Sequence, residues 1–321
     1  MRVTILALTL LAQSAGPIFR FEADGFWLNL HHFLYVLGRA EAKVADSRRE
    51  AVAGAPADQA EGMKLLSETE RQTWREAVTL YAGTLSMKDV VFDADLVEIT
   101  NQLKRASADK SPASLKINQA VAAVLDRAAP IYRKAWWTRH RDANRAWVAS
   151  LQPLLKQYGP QVLTYVTRVY QLPWTTDGYP VQISAWSNWA GAYSTSFSLL
   201  VVSSLNKGNA GSQGLEAVFH EAMHQWDDSV FQLLREQARG LGRLVPNGLS
   251  HAMIFYTADD AVKRTVPNHV PYGETAGIWQ RDPGHFRQAL IAAWQPHLDG
   301  RTSRDDALRE LIRLTAPERK P

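Results

Sequence analysis

Cysteine is absent from the 321 residues. The chain therefore has no disulfides, no thiolate metal ligands and no acceptor for a lipoprotein anchor. No apolar run is long enough to cross a bilayer. Neither sign of charge dominates: 36 Lys and Arg face 32 Asp and Glu, a net +4. The basic residues are spread along helical segments rather than clustered, so they leave no nucleic-acid footprint. Internal repeats are lacking as well.

What is present is a 46% hydrophobic chain, enough for one large or two small domains with a real core. Arg2, an apolar stretch over 3–12 and Ser14-Ala15-Gly16 read as a secretory signal over residues 1–16. A leader without cysteine suits a soluble bacterial protein, periplasmic or secreted.

Residues 26–44 carry a helical stripe (Phe26, Leu30, Phe33, Leu34, Leu37), with His31 and His32 as core histidines within it. Residues 45–61 read as a solvated linker. Ser67 and Glu70 form a capping box that opens a helix to about residue 85. Further helices are expected over 93–106, over 115–128 with a stop at Pro130, over 131–157 and from about 160 to 170. Trp136, Trp137 and Trp147 are expected between helices. The texture changes at Leu172-Pro173-Trp174. Residues 179–204 turn β-branched and aromatic and predict two or three short strands, with turns at Ser187-Asn188 and near Ser196. A Gly-rich loop over 207–214 follows, with Ser212 as a candidate N-cap. Helices are then expected over 229–239 and 249–262, a loop over 267–274, and helix again to about 315. The fold class is mainly α with a small β-sheet (α+β): a helical domain over 17–171, then a second domain over 172–321.

The stretch His220-Glu221-Ala222-Met223-His224 is an H-E-x-x-H motif. Two histidines four apart on a helix lie on one face and can reach one metal ion. Glu221, one step round the helix, suits a base that takes a proton from water at that metal. Leu215, Phe219, Ala222 and Trp226 mark the buried face beside them.

Over about residues 179–274 this arrangement resembles the zincin superfamily of zinc metallopeptidases. The matching residues are His220, Glu221 and His224. The resemblance implies a zincin-like catalytic domain over 172–321, a zinc cofactor and a peptide or protein substrate. It also implies a substrate-pairing strand beside the motif helix, for which residues 198–202 are the candidate. The metzincin pattern asks for glycine and histidine where this chain has Asp227 and Val230. For a gluzincin-like ligand, Glu236 follows His224 too closely and Glu274 lies far enough along. Tyr256, Thr257 and Asp259 faintly match the aspzincin pattern. The third ligand is thus His251, Glu274 or Asp259. His251 leads, because it opens an apolar helix after a Gly/Pro reversal and a catalytic zinc needs three protein ligands. Asp227 or Asp228 is a candidate to orient a ligand histidine. Tyr272 is the first candidate oxyanion donor, ahead of His269 and His285. The expected function is an exported zinc-dependent peptidase. The alternatives are a zinc-binding envelope protein without catalysis and a metal-free helical protein carrying a chance motif.

Overall fold

The strand Leu199–Ser203 (β4) is apolar in consecutive positions, the pattern of a strand covered on both faces, and Tyr179–Ser184 (β2) is buried at every position but Pro180. In the computed structural model, which describes residues 16–45, 51–195, 199–281 and 284–316, they pair in parallel, Val181 opposite Leu200. Phe19–Glu22 (β1) adds in parallel to the other side of β2, with Phe19 opposite Tyr179. Ala192–Thr195 (β3) runs antiparallel along β4. The order is β1-β2-β4-β3, so β4 has a partner on each side and β1 and β3 are the edges. β1 is a fourth strand that the sequence reading did not expect. Its four residues carry no turn signals, and its partner lies about half the chain away. Residues 1–15 of the expected leader, the expected turn near Ser196 and Ser198 itself lie outside the described residues.

Helices cover both faces, and the chain is mainly α with one small mixed sheet. Alternation along β4 sorts the cores. Leu199 and Val201 join Ala185 and Tyr193 in the core under the N-terminal helices. Leu200 and Val202 join Val181 and Ile183 in the other. Phe26–Glu41 (α1) crosses the first face, and Asn29 Nδ2 donates to Ile183 O at 3.1 Å. His31 and His32 are core residues, bonded to the hydroxyls of Tyr81 and Tyr193.

The expected linker holds a helix, Ala55–Met63 (α2). Its Pro56 sits in the first turn, where a missing N–H costs nothing. Its Gly62 leaves room for Trp136, whose ring would lie 2.1 Å from an added Cβ. Glu68–Gly83 (α3) starts on the expected Ser67/Glu70 box, and Ala94–Leu103 (α4) on the side chain of Asp93.

Two expected helix stops, at Pro130 and before Pro160, do not occur. Gln119–Tyr132 (α5) contains Pro130 and continues through a π turn, Arg133–Trp137, into Thr138–Tyr170 (α6). That helix contains Pro153 and Pro160. All three prolines are exposed, so the carbonyls they leave without a donor lie on the solvent side, where water can satisfy them. Burial of the opposite face, including Trp136 stacked at 4.4 Å on Trp74, holds the rod together.

The second core contains the half of α6 from Leu151 to Tyr170, with Phe19 and the elements after residue 172. The expected division at residue 171 passes through this core. The later elements are Ser212–Met223 (α7), Asp227–Gly240 (α8), Leu249–Thr265 (α9) and the single turn Tyr272–Thr275 (α10). In place of one long final helix, short turns lead from Gly277 to Gly300, both at positive φ, and Arg304–Thr315 ends the fold. Among the described residues no helix is long and apolar enough to cross a membrane.

Candidate metal centre

Gly211, at φ 59°, turns the chain out of the loop and caps α7. Ser212 is the first helical residue rather than the cap, and its hydroxyl bonds His269 Nδ1 at 2.8 Å. Leu215, Phe219, Ala222 and Met223 are fully buried and fix the rotation of α7. That rotation leaves His220 and His224 at the edge of the core, one turn apart, with their Nε2 atoms 3.4 Å from each other. Gly248, at φ 79°, reverses the chain into α9 and sets His251 in its first turn. The His251 ring lies 5.5 Å from that of His220 and 5.2 Å from that of His224.

One nitrogen from each of the three rings falls within 4.8 Å of the others. Zinc–imidazole bonds of about 2.0–2.1 Å in a tetrahedron place nitrogens about 3.4 Å apart. The His220–His224 separation already has that value, and exposed His251 needs only to swing inward. The donor set fits zinc. Among the described residues no other group of His, Cys, Asp and Glu converges this way. Glu274 is taken up by an ion pair with Arg287. Asp259 is buried against Glu216 and the Trp279 indole and is not part of the converging group.

Asp227 receives the His224 Nδ1 proton, with its oxygens at 2.9 and 3.0 Å. Burial works against a charged His224, but this carboxylate outweighs it and lifts the imidazole above its ordinary value. The same bond fixes the tautomer that turns the Nε2 lone pair toward the cluster. Asp228 is exposed.

Glu221 stands beside the ligands, and Ser194 Oγ on β3 donates to its Oε2 at 2.8 Å. β3 is an edge strand packed along α7. The strand expected to pair with substrate, 198–202, corresponds to β4, whose two edges are occupied by β2 and β3. Neither side of β4 is open, and of the two edge strands among the described residues β3 is the one that carries Ser194 beside α7.

Tyr272 is tied to α7 at Glu216, four residues before His220. Its backbone N–H donates to both oxygens of Glu216 at 3.1 Å, and its ring packs on Gly208. His269 is a buried tie, bonded to Glu216 Oε2 at 2.6 Å, and His285 packs on Phe286. Burial pushes Glu216 up to about 7. It also pushes its neighbour Asp259 well above the carboxylate range, where the charge of Glu216 helps keep it.

Sequence reasoning missed Ser194 and Glu216. Nothing local marks Ser194. Glu216 had a signal, since it lies four residues before His220 and so on the same helix face. No protein family, curated protein or solved structure compared with the chain matches it.

Proposed function

We propose that the chain is a zinc-dependent peptidase of zincin type, acting on peptides outside the cytoplasm. One observation carries the reading: three imidazoles converge on a point beside Glu221, while an edge-strand serine holds that carboxylate. Zinc bound by His220, His224 and His251 supplies Lewis acidity and lowers the pKa of water there. Glu221 takes the proton of the attacking water and passes it to the leaving amine. Ser194 keeps the Glu221 carboxylate in one orientation. β3 offers its unpaired backbone edge to an extended peptide. Tyr272 remains the candidate oxyanion donor of this reading, with its ring packed on Gly208.

The test combines metal analysis with a peptide library. One equivalent of zinc and turnover that disappears in Glu221→Gln are expected. Full zinc occupancy with no turnover of any peptide would favour the alternative, a zinc-binding envelope protein. A metal-free protein would defeat both.

A further inference from the structure

Asp227 orients His224, and a different kind of group meets His220. The ring of Phe255 stands edge-on to it, with centroids 4.9 Å apart and planes at 74°. Phe255 is buried and lies one turn beyond His251 on α9. The Trp279 indole packs on Phe255 in turn, at 5.4 Å and 77°, and donates from Nε1 to Asp259 Oδ2 at 3.3 Å. Gly273 of α10 presses on this stack. A Cβ added there would stand 2.8 Å from Phe255 Cε1, 2.5 Å from Asp259 Oδ2 and closer still to Trp279 Nε1. Close-packed side chains do not tolerate such approaches, so α10 seats on Phe255 only with glycine at 273.

α10 is also tied to α7. The Tyr272 N–H is shared by both oxygens of Glu216 at 3.1 Å, and Gln213 Nε2 donates to Thr275 Oγ1 at 2.9 Å. The turn thus bridges the helix that carries His220 and His224 and the helix that carries His251 and Phe255. This bears on the metal because an imidazole already held at the right angle loses less freedom when it binds.

We infer that Phe255 is a positioning residue for the metal centre and that α10 is the strap that keeps it in place. Glu216 holds the strap, Gly273 seats it, and the Phe255 ring sets the plane of His220. The inference rests on the reading of His220, His224 and His251 as zinc ligands. It gives a share of the zinc affinity to a segment that contributes no ligand. The loss of one edge-to-face pair corresponds to up to about tenfold in an equilibrium constant.

The test measures zinc affinity of the full chain by chelator competition, together with the side-chain nitrogen resonances of histidine in zinc-loaded protein. Gly273→Ala unseats the strap, and Phe255→Leu keeps an apolar side chain but removes the flat ring. Each is expected to weaken zinc by about tenfold and to shift the His220 resonances, while those of His224, held by Asp227, stay in place. Leu34→Ala, which opens a cavity in the other core, is the control for general loosening and should leave zinc affinity unchanged. If Gly273→Ala does not fold, Phe255→Leu decides alone. Unchanged affinity, an equal loss in Leu34→Ala, or a loss that leaves the His220 resonances unmoved would overturn the positioning role and leave the three-histidine site standing. A parent chain that binds no zinc would remove that site and the inference with it.

Discussion

His251 is the exposed member of the cluster, and its removal leaves two imidazoles, too few for a firmly held catalytic zinc. In a chelator competition, His251→Ala should lower zinc affinity by orders of magnitude. Glu274→Ala, which breaks only the pair with Arg287, should leave it nearly unchanged; the reverse order would replace His251 as the third ligand. Asp227→Asn should weaken zinc by about 10–100-fold, because the tautomer of His224 is then no longer fixed. Ser194→Ala should lower turnover without changing zinc content, since its hydroxyl touches the base and not a ligand. A loss of zinc in that variant would contradict the assignment. At this scale His220, Glu221 and His224 were legible because helical spacing is a local property. His251 was legible only through the Gly/Pro reversal before it. Ser194 was not legible, because what stands opposite it is decided by strand order.

Two helices carry the three histidines, and a buried group ties the pair together. Glu216 on α7, Asp259 on α9 and His269 in the following loop are hydrogen-bonded or in electrostatic contact with one another. Glu216 is held up at about 7 against an ordinary 4.5, so the folded state binds this proton more tightly than the unfolded chain does. Its contribution to stability is complete below the unfolded value and is lost as pH rises through the folded one. Urea melts between pH 5 and 8 should show stability falling with pH, and Glu216→Gln, which carries a permanent amide N–H, should flatten that slope. An unchanged slope would place the coupling elsewhere. The elements themselves were legible where capping or periodicity was strong, as at Ser67 and along α1. They were misjudged at Pro130 and Pro160, because the sequence does not say which side of a helix will meet water.

β4 contributes alternate residues to both cores and so couples them through one strand. The protein should unfold in one calorimetric transition. Leu200→Ala should cost about 2–5 kcal/mol and lower that single transition without splitting it. Two resolved transitions would show that the halves are independent. The mixture of helices with a small sheet was readable from composition and texture. The sharing of α6 and β1 between distant parts of the chain was not, because long-range pairing leaves no trace in a local window.

The parallel pairing of β1 with β2 also governs timing. Phe19 has no backbone partner until Tyr179 has been made, so a growing chain carries an unsatisfied N-terminal strand through the synthesis of six helices. Closing so large a loop comes late in any order of assembly, because its entropy is lost before the ladder bonds repay it. Until then the N-terminal residues stay open to whatever binds extended chains. The β1–β2 ladder thus joins the two paired strands of the sheet that lie furthest apart along the chain.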